Sequence, residues 1–197
     1  MKILIAGGFG AGKTTFVRSI SEIKPLSTEE TLTVASVPVD SLDGIPDKKT
    51  TTVAMDFGRR TIAADLRLLL FGTPGQDRFW FMWDELSRGA FGAIVLVDTR
   101  RITDSFGAIE FFESRGIRFL VAVNQFQGAP VYPESDVRTA LALREHVPLI
   151  RCDARTFQST KAVLILLVEH IVNTRREEDA ARVAAPLPSG SGARYDV

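Results

Sequence analysis

The chain has 197 residues with 24 basic and 24 acidic side chains, so its formal net charge is zero. This balance argues against a general electrostatic grip on nucleic acid, and we expect no nucleic-acid partner. The content of 45 % hydrophobic and 9 % aromatic residues is that of a globular protein. With Cys152 as the single cysteine and no apolar run near the ~20 residues that span a bilayer, we expect a cytoplasmic protein without a membrane anchor of its own.

The first predicted elements are a buried strand, a glycine-rich loop and a helix. The strand is the apolar run Lys2–Ala6, and the helix covers Thr15–Glu22. Between them, residues 7–14 read GGFGAGKT and fit the phosphate-loop pattern G-x-x-x-x-G-K-[ST] without a mismatch. Strand, loop and helix in this order are the context that the pattern requires, so the sequence predicts a phosphate-binding loop at this place.

Glycine lets such a loop approach a phosphate chain closely, and the following helix adds its positive N-terminal end. The residues predicted to bind the nucleotide here are Gly7, Gly8, Phe9, Gly10, Ala11, Gly12, Lys13, Thr14 and Thr15. Lys13 is expected to reach the β- and γ-phosphates, and the Thr14 hydroxyl to bind Mg²⁺.

The rest of the chain alternates between strand-like and helix-like segments. A polar passage, Ser21–Lys49, is predicted to be a long loop that is either functional or mobile. The further predicted strands are Thr50–Gly58, Leu66–Phe71, Ala93–Val97, Phe119–Val123 and Leu149–Cys152, the first two forming an antiparallel hairpin. The further predicted helices are Gln76–Arg88, Ser105–Glu113, Glu134–Glu145 with Ser135 as its N-cap, and Ser159–Arg175.

This alternation predicts an α/β fold with a mainly parallel six-stranded sheet and one antiparallel strand. Ligands of such sheets bind beyond the carboxyl ends of the strands. From Glu177 the composition shifts to Ala, Pro, Gly, Ser and charge. We therefore predict a folded domain over residues 1–176 and a disordered tail over residues 177–197.

One strand end carries a second candidate for phosphate chemistry. Leu66–Phe71 is followed by Gly72-Thr73-Pro74-Gly75-Gln76. A glycine N–H that touches a γ-phosphate and a glutamine that orients water are what transfer of a phosphoryl group to water needs. The same residues could equally form a simple type II turn, and the residues alone leave both interpretations open.

Taken together, these motifs resemble those of Ras-like small GTPases, in order, through nearly all of the first 155 residues. The matching segments are the phosphate loop, Thr52–Phe57 as the end of switch I, Gly72–Gln76 as switch II, Val97–Phe106, Asn124 as the guanine-reading asparagine, and Asp153-Ala154-Arg155. Within the family the chain is similar to the bacterial gliding-motility-type GTPases and to the GTP-binding proteins of actinobacterial conservon operons. The resemblance implies a three-layer P-loop NTPase fold and a GTP/GDP switch with Mg²⁺ as cofactor.

The resemblance also implies roles for matched positions. Thr52 would bind Mg²⁺ and the γ-phosphate in the triphosphate state, Gly75 would contact that phosphate, and Gln76 would position the attacking water. Gln76, Lys13 and Thr52 are thus the predicted catalytic residues, and Thr14 and Thr52 the predicted metal ligands. The predicted base-side nucleotide contacts are Asn124, Phe126, Gln127, Asp153 and Ala154.

Two positions depart from the family pattern. Gly72 replaces the switch II aspartate that holds Mg²⁺ through water, and Asp56 and Asp98 are the candidates to substitute for it. Gln127 replaces the aspartate that reads guanine, which removes a charged bidentate acceptor. Phe126 could stack on the base and the Ala154 N–H could reach the guanine oxygen, so we expect GTP. The alternative is a nucleotide-binding scaffold with little turnover or relaxed ATP/GTP specificity.

The resemblance further implies protein partners. These are a roadblock-domain regulator and a sensor-kinase-like complex, through which a cytoplasmic protein would be recruited to the membrane. The aromatic side chains Phe79, Trp80, Phe81 and Trp83 would form the switch II interface, with core packing as the alternative explanation. The arginines considered as a catalytic finger are Arg59, Arg60, Arg78, Arg100 and Arg101. A P-loop kinase acting on a small molecule is the third interpretation. It would need a lid arginine cluster and a substrate site, and we find neither in the sequence.

Overall fold

A computed structural model describes residues 1–33, 50–75 and 81–184, and these residues form a three-layer α/β domain. Its centre is a seven-stranded sheet in the order β2-β3-β4-β1-β5-β6-β7. The strands are β1 Lys2–Ala6, β2 Leu26–Thr33, β3 Thr50–Ala63, β4 Leu66–Gly72, β5 Ala90–Val97, β6 Phe119–Asn124 and β7 Leu149–Cys152.

The direction of the strands confirms the predicted fold class. β1 pairs in parallel with β4 and β5, and the pairs β5–β6 and β6–β7 are also parallel. Of the seven strands, β3 alone runs against the others, because it is antiparallel to both β4 and β2. The predicted hairpin is therefore correct.

The strand count differs from the prediction because β2 lies within the passage predicted as a loop. β2 reads LSTEETLT and sits at the edge of the sheet, where it pairs with β3 only. An edge strand is defined by its backbone hydrogen bonds rather than by a buried apolar face, so its sequence lacks the periodicity that predicts strands. Residues 34–49 of the predicted loop lie outside the described residues.

Five α-helices and one 3₁₀ helix lie within the described ranges. They are α1 Lys13–Ile20, α2 Phe81–Ser87, the 3₁₀ helix Thr99–Ser105, α3 Phe106–Ser114, α4 Glu134–Ala140 and α5 Phe157–Ala184. None of the helices in these ranges is long and apolar enough to cross a bilayer.

The ends of α4 and α5 differ from their predicted bounds. α4 ends at Ala140, and Ser135 lies inside it after the N-cap residue Pro133, with its hydroxyl on the Asp136 carboxylate. α5 continues to Ala184, whereas the predicted helix ends at Arg175. The domain boundary after residue 176 stays a prediction. A polar, alanine-rich segment can remain helical without a buried face once a packed helix has nucleated it. Residues 185–197 lie outside the described residues.

The core lies on both faces of the sheet, as alternation along β1 requires. Ile3 and Ile5 face a cluster with side chains of α1 and α5, whereas Leu4 and Ala6 face a second cluster built with α2, α3 and α4. Trp83 belongs to this second cluster, where it is only 3 % exposed and stacks on Phe112. The carboxyl ends of the strands are thereby held at one edge of the sheet, where the phosphate loop begins.

Candidate nucleotide-binding site

The phosphate loop connects β1 to α1 and depends on glycine at its turns. Gly7, Gly10 and Gly12 have positive φ angles of 136°, 76° and 101°, which L side chains rarely adopt. Gly12 precedes the first residue of α1, and a Cβ at Gly12 would lie 2.4 Å from Asn124 Nδ2. Successive amides in such turns form a concave nest for anions, as the sequence predicts.

Lys13 is held by the loop itself. Its Nζ donates to the carbonyl oxygens of Gly7 at 2.8 Å and of Gly8 at 2.7 Å. Burial lowers the pKa of Lys13 from 10.5 to about 8, and the Asp56 carboxylate opposes this shift. A poorly solvated ammonium group that is paired only in part is a strong binding group for a phosphate chain.

This lowered pKa predicts a pH dependence of nucleotide binding. Phosphates stabilise the ammonium form, so a protein with neutral Lys13 must take up a proton to bind. The affinity should be constant below pH 8 and should fall by up to about tenfold per pH unit above it. Equilibrium titration of a fluorescent nucleotide from pH 6.5 to 9.5 measures this, and a flat profile across pH 8 would contradict the assignment.

Thr14 and Asp56 form the candidate metal-binding pair. The Thr14 hydroxyl donates to Asp56 Oδ2 at 2.5 Å, and Asp56 is only 6 % exposed. The register that pairs Phe57 with Phe71 places Asp56 beside Gly72, and a Cβ at Gly72 would lie 3.4 Å from Asp56 Oδ2. The Asp56 carboxylate on the neighbouring strand thus lies beside the position where the switch II carboxylate is missing.

Asp98, the other candidate to replace the switch II aspartate, is hydrogen-bonded to Arg100. Its Oδ1 accepts hydrogen bonds from the backbone N–H and the Nε of Arg100, and its Oδ2 accepts from Arg100 Nη2 at 2.7 Å. The hydrogen bonds from Arg100 hold the pKa of the Asp98 carboxyl below its usual value. Asp56, rather than Asp98, therefore faces Thr14.

The oxygens of Thr14 and Asp56 fit Mg²⁺, which prefers hard oxygen ligands. Nowhere in the described ranges do three His, Cys, Asp or Glu side chains cluster as a metal site. A magnesium ion here would accordingly take its remaining ligands from phosphate oxygens and water, the usual arrangement for Mg²⁺ in nucleotide sites.

The segment after β4 meets the phosphate loop at Gly75. The Thr73 N–H donates to the Ile5 carbonyl at 2.9 Å, and Trp83 Nε1 donates to the Pro74 carbonyl at 3.2 Å. Gly75 then packs so closely that a Cβ on it would lie 2.5 Å from Lys13 Nζ. Gln76, Arg78, Phe79 and Trp80 lie outside the described residues.

Thr52 is not close to the Thr14–Asp56 pair in this structure. It lies in β3, paired across the strands with Thr31 of β2. Thr52 and Asp56 are four positions apart in the sequence. This corresponds to a distance of about 13 Å between them along an extended strand. The structure therefore brings together Lys13, Thr14 and Gly75, but not Thr52.

On the base side, Asn124 ties three segments together. Its Nδ2 donates to the Ala11 carbonyl at 2.9 Å, and its Oδ1 accepts the Ala154 N–H at 3.0 Å. Asn124 is 5 % exposed, so both bonds are shielded from water. The Ala154 N–H, which is predicted to reach a guanine oxygen, donates to the Asn124 side chain in this structure.

Removing the Asn124 amide should cost stability. Asn124→Ala leaves the Ala11 carbonyl and the Ala154 N–H without their partner in a buried place, and we expect about 2–4 kcal/mol of destabilisation. Urea denaturation measures it, with the exposed α5 residue Asn173 changed to Ala as the control. A loss below about 1 kcal/mol would show that the two bonds matter little.

The other predicted base-side residues are Phe126, Gln127 and Asp153, and their role in binding a base stays a prediction. The Arg100 guanidinium covers one face of the Phe126 ring at 4.1 Å from its centroid, which leaves that face unable to stack on a base. Gln127 is exposed. Asp153 accepts hydrogen bonds from the Arg155 side chain, which hold the pKa of its carboxyl below the usual value.

The arginine candidates separate clearly. Arg59 pairs with Glu22, and Arg60 stacks on Phe157. Arg101, in contrast, donates to the Phe9 carbonyl of the phosphate loop at 2.7 Å. The sequence carries no signal for the Arg101–Phe9 contact, because the two residues lie 92 positions apart. Asp56 has a local signal, since this carboxylate stands between the apolar residues Met55 and Phe57 of a predicted strand.

Comparisons with known proteins agree with this geometry. The family model described as "Conserved hypothetical ATP binding protein" matches residues 5–174. The chain belongs to this family. Its phosphate loop, Thr14–Asp56 pair and Asn124 all fall within the matched residues.

Individual relatives of this family member include an archaeal protein and eukaryotic GTPases. The uncharacterized protein MJ1339 of Methanocaldococcus jannaschii is 29 % identical over 127 residues, covering 64 % of this chain and 70 % of that protein. The Ras-related protein Rab-18 of Lymnaea stagnalis is 23 % identical over 185 residues, covering 88 % and 81 %. The Ras-related protein Rab-1C of Dictyostelium discoideum is 27 % identical over 134 residues, covering 66 % and 53 %.

A solved structure has the same fold. The G domain of the T. maritima FeoB iron transporter superposes with a TM-score of 0.59 at 16 % identity, covering 86 % of this chain and 98 % of that one. Together these findings place the chain among P-loop proteins related to small GTPases. The narrower resemblance, to the gliding-motility-type and conservon GTPases, stays a prediction.

Proposed function

We propose that this protein is a Mg²⁺-dependent switch that binds and slowly hydrolyses GTP. The observation that carries the proposal is the contact of Gly75 with Lys13. The segment after β4 touches the side chain that would bind the terminal phosphates, so a change in the phosphate chain displaces it directly. A protein that only held a nucleotide would have no need of this contact.

The binding step follows from the residues at the loop. Lys13 exchanges the Gly7 and Gly8 carbonyls for phosphate oxygens, whose negative charge offsets the desolvation that lowers its pKa. Thr14 would hold Mg²⁺ through its hydroxyl oxygen, and Asp56 would accept the proton of that hydroxyl. The ion would supply neutralisation of the phosphate charge.

Hydrolysis is assigned to the residues that follow. Gly75 donates its N–H to the γ-phosphate, and Gln76 orients the attacking water in line with the leaving group. Thr52 joins the site in the triphosphate state, which requires the start of β3 to move toward Thr14. Release of phosphate returns Gly75 and Thr52 to the arrangement described above.

GTP is the proposed nucleotide, because relatives of the chain include Ras-related proteins of the Rab type. A nucleotide-binding scaffold with little turnover or with relaxed ATP/GTP specificity is the second candidate. It is favoured by Gln127 in place of an acidic base reader, by the commitment of the Ala154 N–H to Asn124, and by the family description, which names ATP.

The cellular setting is proposed from the resemblance. We place the switch in the cytoplasm of a bacterium, where a roadblock-domain regulator binds it and a sensor-kinase-like complex recruits it to the membrane. The partner surface would be formed by the aromatic residues after Gln76. Trp83 is not part of that surface, because it is buried in the core.

One experiment tests the proposal and separates the candidates. Purified protein with Mg²⁺ is titrated with GTP and with ATP, and phosphate release is then followed for hours with the wild type and with Gln76→Leu. Tight GTP binding with slow release that Gln76→Leu abolishes supports the switch. Binding without release points to a scaffold, and a preference for ATP overturns the choice of base.

A further inference from the structure

Arg101 reaches the phosphate loop from the segment that follows β5. Its Nη2 donates to the Phe9 carbonyl at 2.7 Å, and its guanidinium lies 3.9 Å from the carboxylates of both Asp98 and Asp104. The backbone at Arg101 leaves the 3₁₀ conformation, with φ −143° and ψ 55°. Two carboxylates and one backbone carbonyl thus hold a single cation over the loop.

The packing of this segment against the loop leaves no room for a side chain at Gly8. A Cβ at Gly8 would lie 2.4 Å from the Cβ of Asp104, and a Cβ at Gly10 would lie 3.0 Å from Arg101 Nη2. The phosphate-loop pattern itself specifies glycine at Gly7 and Gly12, not at these two positions. The close approach of the segment after β5 therefore accounts for glycine at position 8.

The geometry of the peptide bond gives this contact a consequence. The Phe9–Gly10 peptide is trans, because the described residues contain no cis peptide bond. In a planar trans peptide the C=O and the N–H point in opposite directions. With the Phe9 carbonyl directed at Arg101, the Gly10 N–H is directed away from it, and a cation on the carbonyl also strengthens that N–H as a donor.

We propose that Arg101 is a positioning residue that fixes the Phe9–Gly10 peptide so that the Gly10 N–H donates to a phosphate of the bound nucleotide. The inference rests on the proposed function, because it assigns a further residue to the same nucleotide site. It does not depend on the base or on hydrolysis. Arg101 acts here through the loop backbone and does not itself touch the phosphates.

The test compares Arg101→Met with Arg59→Met, a control arginine that is similarly exposed and paired with Glu22. Loss of a charge-assisted hydrogen bond predicts about tenfold weaker binding of both GTP and GDP for Arg101→Met. Arg101→Lys, which keeps the charge, should recover part of this loss. The control should bind as the wild type does, and the melting temperature of the nucleotide-free Arg101→Met protein should stay unchanged.

A second readout distinguishes positioning from a structural role. In the wild type, GDP should move the Gly10 amide proton resonance downfield, and this displacement should be smaller in Arg101→Met. The wild-type measurement stands even if the variant fails to fold. The inference would be overturned if GDP did not displace the Gly10 resonance in the wild type, or if Arg101→Met bound nucleotides within twofold of the wild-type affinity. Either result would leave the proposed function standing. Failure of the wild type to bind any nucleotide would overturn the proposed function as well.

Discussion

Lys13→Met should bind GTP at least about 100-fold more weakly than the wild type. The substitution removes two or more charge-assisted hydrogen bonds to phosphate, each worth about 1.5–3 kcal/mol. The methionine side chain has nearly the same length, so the loop keeps its packing. Equilibrium titration with a fluorescent GTP analogue measures the loss. Lys161→Met, on the exposed side of α5, is the matched control.

The same substitution should not destabilise the nucleotide-free protein. Lys13 has a folded-state pKa of about 8 against 10.5 when unfolded, so folding costs its charged form about 3 kcal/mol at neutral pH. Between pH 8 and 10.5 the unfolded wild type binds more protons, and the wild type gains stability relative to Lys13→Met as the pH rises through this window. A variant that keeps its GTP affinity, or that unfolds at neutral pH, would contradict this role of Lys13.

Asp56→Gly should weaken Mg²⁺ binding in the GTP complex by about 10–100-fold, the usual cost of losing a residue that orients a metal ligand. The Thr14 hydroxyl loses the acceptor that orients it. In the presence of EDTA the variant and the wild type should bind GTP alike, because Lys13 and the loop amides remain. Titration of GTP-loaded protein with Mg²⁺ measures the difference.

The structure offers a rescue for this variant. Gly72 of β4 lies opposite Asp56 of the adjacent strand β3. Combining Asp56→Gly with Gly72→Asp therefore moves the carboxylate from β3 to β4. The double variant should recover most of the Mg²⁺ affinity. Gly72→Asp alone should be destabilised, because its carboxylate would crowd that of Asp56. A double variant no better than Asp56→Gly would show that the carboxylate does not serve Mg²⁺.

The sequence predicts those features that a local pattern encodes. The glycine pattern of residues 7–14 and the apolar run before it predict the strand, loop and helix at the start of the domain. These local features are enough for that prediction. The apolar runs of β5 and β6 predict the central parallel strands, because a strand that is buried on both faces reads as a continuous apolar run. The two faces of β1 follow from simple alternation.

Features that depend on contacts between distant segments are not encoded in this way. Asp56 lies beside Gly72 only because the register of β3 on β4 aligns the two residues. The Arg101–Phe9 bond joins residues 92 positions apart. β2 is not predicted, because an edge strand needs no apolar face. α5 extends beyond its apolar pattern, because its last turns remain helical without packing against the core.

We propose that Gly75 and strand β3 respond to the terminal phosphate, Gly75 through Lys13 and β3 through Thr52. Amide hydrogen exchange over residues 50–75, with GDP and with a non-hydrolysable GTP analogue in Mg²⁺, tests it most directly. We expect protection of residues 7–14 with both nucleotides and additional protection at Gly75 and in β3 with the triphosphate alone. Identical exchange of residues 50–75 in the two complexes would contradict the account.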